Sequence, residues 1–163
     1  MNSRPLWAPW RIEYILGEKK GGCFLCDLFA APVAEDRANL LLYRGTTCAV
    51  VLNRYPYTGG HLMVCPYRHT NALEELTQAE ALEMHTLTVR AIQALKTHMQ
   101  PDAFNLGYNL GVAAGAGLKD HLHQHIVPRW VGDTNFMPIM SDTRCIPQAL
   151  TDTYDLLQSA FKD

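Results

Sequence analysis

At 163 residues the chain has room for one domain with a substantial core, and no Gly/Ser or Pro run divides it. Apolar residues make up 48% and charged residues 18%, with a formal net charge of −2, so there is no electrostatic footprint for a nucleic acid polymer. No stretch approaches the ~18 consecutive apolar residues of a membrane span, and Met1 to Trp7 lacks the apolar core of a secretion signal; a cytoplasmic protein with no membrane segment is expected.

In chain order, Gly22-Cys23-Phe24-Leu25-Cys26 supplies a Cys-x-x-Cys pair. Five cysteines, an odd number, are poor material for a disulfide framework, and such a pair reads as a metal knuckle or redox motif. Cys48, Cys65 and Cys145 match no ligand spacing and read as small core residues or inert thiols. Asn39 to Tyr43, Thr47 to Leu52 and His61 to Cys65 are short apolar or β-branched runs, separated by Arg44-Gly45 and by Pro56-Tyr57-Thr58-Gly59-Gly60. They predict three strands in a meander. Thr77 with Glu80 forms the signature of a capping box, and Met84, Leu87, Thr88, Ala91, Ile92, Leu95 and Met99 then make one apolar stripe at helical spacing, ended by Pro101. His85 and His98 on this helix read as solvent-exposed. A fourth strand is expected over Phe104 to Leu110, then a glycine- and alanine-rich segment from Gly111 to Gly117, a fifth strand, and a C-terminal helix after Pro147. The class is α+β: about five antiparallel strands, one long helix and a C-terminal helix. Trp7, Trp10 and Trp130 could clamp a nucleobase, but Trp7 and Trp10 read first as packing on the body or at a subunit contact.

The fifth strand carries the most informative feature. In His121-Leu122-His123-Gln124-His125 the histidines alternate, so on a strand their imidazoles share one face at about 6.6–6.8 Å per step. Leu122 and Ile126 take the opposite parity and can enter a core, with Gln124 interrupting that apolar face. Three readings are open. The histidines could be incidental on a half-exposed strand. They could chelate a catalytic metal, although the outer two would stand roughly 13 Å apart by strand rise, too far for one ion to collect all three. Or the central imidazole could act as a nucleophile while its neighbours orient it or bind a departing anion. The upstream loop favours the last, because Asn109 to Lys119 allows close backbone approach and offers N–H donors to phosphate oxygens.

With these pieces together, the chain resembles the histidine triad (HIT) superfamily through His121-Leu122-His123-Gln124-His125-Ile126-Val127. The resemblance extends through Leu52-Asn53-Arg54-Tyr55-Pro56, Gly60-His61-Leu62-Met63-Val64-Cys65-Pro66, Asn109-Leu110-Gly111 and Pro128-Arg129. It spans residues 21 to 130 of a single 1–163 domain, leaving 1–20 and 131–163 as extensions around the core. Ala114 to Gly117 and Pro128 to Phe136 look like the bacterial branch related to diadenosine tetraphosphate phosphorylases and hydrolases.

This resemblance implies a HIT-like fold and an enzyme that cleaves dinucleoside polyphosphates, or related adenine nucleotides, at the α-phosphorus through a nucleotidyl-histidine. His123 would be the nucleophile, His125 would contact the α-phosphate or bridging oxygen, and His121 would complete the catalytic triad. Asn53 would bind the ribose; Asn109 and the backbone of Ala116, Gly117 and Leu118 would hold the α-phosphate; His61 would support the triad. Gly117 stands where several relatives carry a hydroxyl or amide side chain, which leaves Lys119 as a candidate replacement. The resemblance also implies a structural Zn²⁺ on Cys23, Cys26, His69 and His121, and a homodimer formed through the long helix and adjoining strands. A nucleoside phosphoramidase, or a nucleotide-binding regulatory module with slow turnover, are the alternative functions.

Overall fold

A computed structural model describes residues 22–115, 117–133 and 146–162. Trp7, Trp10, Ala116, Asn135, Phe136 and Cys145 lie outside the described residues. Helix α1 (Phe24–Ala30) and the short α2 (Asp36–Asn39) precede strands β1 (Leu41–Arg44), β2 (Cys48–Leu52) and β3 (Leu62–Pro66). Helix α3 (Gln78–Met99), strands β4 (Ala103–Tyr108) and β5 (Gln124–Arg129), and helix α4 (Leu150–Gln158) follow. All strand pairs are antiparallel, in the order β1-β2-β3-β5-β4, so β5 lies between β3 and β4 and β4 is an edge.

Helix α3 starts as its sequence dictates. Glu80 N–H donates to Thr77 Oγ1 at 3.2 Å and Thr77 N–H donates to the Glu80 carboxylate at 2.8 Å. The same carboxylate is buried and accepts from Arg68 at 2.8 Å, and this pairing holds Glu80 well below the usual carboxylate range, at about 2. At its other end the helix stops on Gln100 in the left-handed region, which avoids the clash that Pro101 would impose on a helical predecessor. Met84, Leu87, Ala91 and Leu95 bury the apolar stripe against Val50, Leu52, Leu62, Val64 and Ile126, and Tyr154, Leu157 and Phe161 close the layer.

The opposite sheet face carries a smaller cluster, in which Leu25 of α1 packs on Leu41, Val51, Met63 and Cys65. β2 and β3 are therefore buried on both faces, and both Cys48 and Cys65 are buried core residues. Gln124, the polar interruption, faces α3, where Thr88 Oγ1 donates to its side-chain oxygen at 2.9 Å.

The first four strands each differ from the sequence reading by a residue or two at an end, β4 stopping at Tyr108 where Leu110 was expected, and two boundaries, at β1 and β5, have an identifiable cause. The segment expected to start β1 at Asn39 is instead helical to Asn39, and Leu40 in the left-handed conformation turns the chain into the strand. The fifth strand begins only at Gln124, so His121 and His123 lie on its approach. The ladder with β3 ends at the Val64–Gln124 pair. Beyond it the chain after β3 takes over, with Leu122 N–H donating to Thr70 O at 2.6 Å. His85 is exposed and His98 is half-buried.

Candidate functional site

Although only His125 of the triad lies within the strand, all three imidazoles are buried, with His121 1% exposed and His123 and His125 8% each. Their proton positions follow from their partners. His123 Nδ1 lies 2.7 Å from the carbonyl oxygen of His121, and an oxygen acceptor there requires Nδ1–H. The neutral ring then keeps its lone pair on Nε2, the nitrogen a nucleophile needs.

A longer chain of bonds sets His125. Backbone Tyr57 N–H donates to His61 Nδ1 at 3.1 Å, and the Asn53 amide nitrogen approaches the same atom at 3.3 Å. The Asn53 amide orientation is itself set, because its oxygen accepts from Tyr55 N–H at 2.9 Å. His61 therefore carries its proton on Nε2 and donates to His125 Nδ1 at 2.9 Å. That leaves His125 with an Nε2–H; the Asn109 amide nitrogen lies 3.4 Å from it, and since both are donors this N–H is not taken up by Asn109. Burial, and next the neighbouring His123, push His125 down to about 4, so it is neutral at physiological pH. The ring of Tyr57 lies 4.6 Å from that of His61 and 5.7 Å from that of His125.

On the other flank, His121 Nε2–H donates to Pro66 O at 2.8 Å, so its Nδ1 presents a lone pair. That atom lies 3.2 Å from Cys23 Sγ and 3.4 Å from Cys26 Sγ, and Cys26 Sγ is 3.3 Å from His69 Nδ1. The four donor atoms fall within 4.8 Å of one another. Sulfur and nitrogen sharing a tetrahedral zinc would stand roughly 3.6 Å apart, so the cluster fits the ion closely. Its donors also fit: two thiols, and an imidazole oriented by a carbonyl on its far nitrogen, as metal-bound histidines are. Burial and the adjacent Cys23 push the Cys26 thiol up to about 11, and a cation between the thiols would reverse that. Burial also pushes His121 down.

The sequence-predicted residues thus converge, with qualifications. His61, His121, His123, His125 and Asn109 share one site, and Cys23, Cys26 and His69 adjoin it through His121. Asn53, expected at a ribose, sits beneath His61 with both ends of its amide engaged. Leu118 packs against the smaller cluster, while Gly117 and Lys119 are exposed; Leu118 and Lys119 line the recess of His123 together with Asn71 and Asn109. A cleft of about 690 Å³ opens on the other side of Asn109, lined by His125, Tyr57, Asn105, Gly107, Arg129 and Trp130. Sequence reasoning missed Tyr57, Asn71, Asn105 and Gly107. Tyr57 acts through its backbone N–H, which leaves no mark on residue type, and the glycine and asparagines are unremarkable until the strands pair.

A family model described as the HIT domain matches residues 35–131. The chain is 42% identical over 158 residues to a protein named AP-4-A phosphorylase from Mycobacterium tuberculosis, a match covering 93% of this chain and 81% of that one. It is 32% identical over 93 residues to an asymmetrical bis(5′-nucleosyl)-tetraphosphatase of Schizosaccharomyces pombe, covering 57% of this chain and 50% of the other. Among solved structures, a Zn-bound histidine triad family protein from Mycobacterium smegmatis superposes with a TM-score of 0.67 at 26% identity, over 86% of this chain and 93% of that one.

Proposed function

This chain belongs to the HIT domain family, and on that premise we propose that it is an enzyme cleaving dinucleoside polyphosphates at the α-phosphorus through a nucleotidyl-His123 intermediate. The observation that carries the mechanism is the 2.7 Å bond from His123 Nδ1–H to the His121 carbonyl, which leaves Nε2 as the nucleophile. As Nε2 bonds to phosphorus, the phosphorus–oxygen bond to the leaving nucleotide breaks and its electron pair stays on the bridging oxygen. The ring becomes cationic, and its Nδ1–H bond to the carbonyl becomes charge-assisted.

His125 meets the bridging oxygen with Nε2–H. A neutral imidazole whose Nδ1 is already accepting from His61 donates a hydrogen bond but holds its proton, so it serves a leaving group that departs as an anion. A polyphosphate does so; an amine does not, which favours the anhydride over the phosphoramide reaction. Asn109 and the recess of Leu118 and Lys119 hold the α-phosphate, and Asn53 supports His61 beside the ribose. In the second half-reaction an acceptor oxygen attacks phosphorus and the nitrogen–phosphorus bond returns its pair to Nε2. With diadenosine tetraphosphate, water gives AMP and ATP with release of a proton, and inorganic phosphate gives ADP and ATP.

Zn²⁺ on Cys23, Cys26, His69 and His121 belongs to the same reading; the ion ties α1 and the loop after β3 to the approach of β5. So does a homodimer through α3 and the β4 edge, supported by exposed Leu82, Val89 and Leu106. No described helix is long and apolar enough to cross a membrane, and the thiols of Cys23, Cys26, Cys48 and Cys65, unpaired in disulfides among the described residues, suit the cytoplasm. The test is to incubate the protein with diadenosine tetraphosphate, with and without inorganic phosphate, and to identify the products. ADP with ATP only in the presence of phosphate establishes a phosphorylase, AMP with ATP in its absence a hydrolase, and no cleavage overturns the reading.

A further inference from the structure

Nucleophilic attack by His123 makes no use of the cleft beside His125, although at about 690 Å³ it is far roomier than the recess of His123. Its position follows from strand pairing. On β4 and β5 the residues facing the histidine side are Asn105, Gly107, His125, Val127 and Arg129, in the registers Asn105–Val127, Gly107–His125 and Ala103–Arg129. Gly107 is thus the direct cross-strand partner of His125. A Cβ built on it would meet nothing within 4 Å, so the floor next to His125 is open. Its φ is not among the positive values, so the glycine is not required by the backbone. The volume, about 690 Å³, is that of a ligand site. Tyr57 at 40% exposure and the half-buried Trp130 supply aromatic surface, and Asn105 and the Arg129–Asp133 pair supply polar groups at the far end.

Asn109 lines both the His123 recess and the cleft. An α-phosphorus held at Asn109 therefore has His123 on one side and His125, with the cleft, on the other. In-line displacement sends the bridging oxygen away from His123 Nε2, past the His125 Nε2–H, and so into this cleft.

We propose that the cleft over Gly107 is the subsite of the leaving nucleotide, with the polyphosphate crossing Gly107 and the distal base against Trp130 and Tyr57. It is also the entry for the acceptor, which must attack from the side the leaving group vacates. This rests on the nucleotidyl-His123 reading. Pairing of copies at the β4 edge would use backbone groups in the plane of the sheet and leave the face above Gly107 open.

The experiment compares two substrates that deliver the same adenylyl group: diadenosine tetraphosphate, whose leaving group is ATP, and adenosine 5′-phosphofluoridate, whose leaving group is fluoride. Both are measured on the full chain and on G107V, with sedimentation recorded for each. G107V is expected to lower kcat/KM for diadenosine tetraphosphate at least tenfold while the single-turnover rate of fluoride release, which precedes attack by the acceptor, stays within twofold of the parent. W130A is expected to raise KM for diadenosine tetraphosphate severalfold and not for the fluoridate, and it carries the test if G107V fails to fold. Equal losses on both substrates, with or without a change in sedimentation, would overturn the proposal by making Gly107 structural or interfacial; unchanged diadenosine tetraphosphate kinetics in both variants would overturn it as well. A parent chain inert toward both substrates would sink the nucleotidyl-histidine reading itself, an outcome distinguishable from failure of the subsite.

Discussion

The two flanks of His123 hold their imidazoles by different chemistry. On the His125 side everything needed is inside the fold: His61 is wholly buried, and a backbone N–H, one amide and two imidazoles determine every proton. On the His121 side the partners are two half-buried thiols and the exposed His69, a set whose donor atoms could together hold a cation. The first arrangement sets a protonation state, and the second sets a position. Loss on one flank should therefore appear in turnover, and loss on the other in stability.

The reference point between the flanks is His123 itself. H123A is expected to lower kcat by about 10⁴-fold or more while nucleotide binding persists, read by steady-state kinetics beside equilibrium binding; turnover equal to the parent's would exclude covalent catalysis by this residue. Stripping the proposed Zn²⁺ from the His121 flank with a chelator is expected to remove a ligand worth about 4 kcal/mol at a thousandfold excess over its Kd, which for a chain of this size lowers Tm by roughly 10 °C. C23S with C26S should mimic the chelator and abolish its further effect. A Tm indifferent to both would show that the cluster binds no ion.

On the His125 flank, H61F removes the donor to His125 Nδ1 and is expected to reduce kcat by about 10²-fold with a far smaller change in KM. ¹⁵N NMR of the parent should show His125 as the Nε2–H tautomer and neutral from pH 8 down to about 5, because its pKa lies near 4 rather than at the ordinary histidine value. Protonation of His125 near pH 6.5 would break the relay. The smallest effect concerns the loop that grips Leu122 through Thr70, which Arg68 and Glu80 brace against α3. Glu80 titrates lower in the folded chain, at about 2, than in the unfolded one. Its contribution is therefore fully present above about pH 5 and is lost as pH falls toward 2; with Arg68 partly exposed, it is about 2 kcal/mol. E80Q should lower stability by that amount at pH 7 and flatten the acid limb, measured by urea unfolding across pH.

Some of this was legible before any fold was known. The capping box at Thr77 and Glu80 and the stripe from Met84 to Met99 predicted α3 because both signals act within a few residues along the chain. The alternation of His121, His123 and His125 marked the site, and the Cys23–Cys26 spacing marked its neighbour. The boundaries at Leu40 and Gln124 were less legible. One depends on a left-handed turn at a leucine, and the other on where β3 stops pairing, which residue type does not encode.

By itself, then, the sequence determined which residue types could carry the chemistry and the local periodicities that put them on helix or strand. Which histidine does what was decided by tertiary structure. The His61–His125 bond joins residues 64 apart, and the contact of Cys23 with His121 joins residues 98 apart. A tautomer is set by the group across the hydrogen bond, and here those groups are the Tyr57 backbone, the Pro66 carbonyl and the His121 carbonyl. Only folding brings the first two to their imidazoles, and folding alone orients the third.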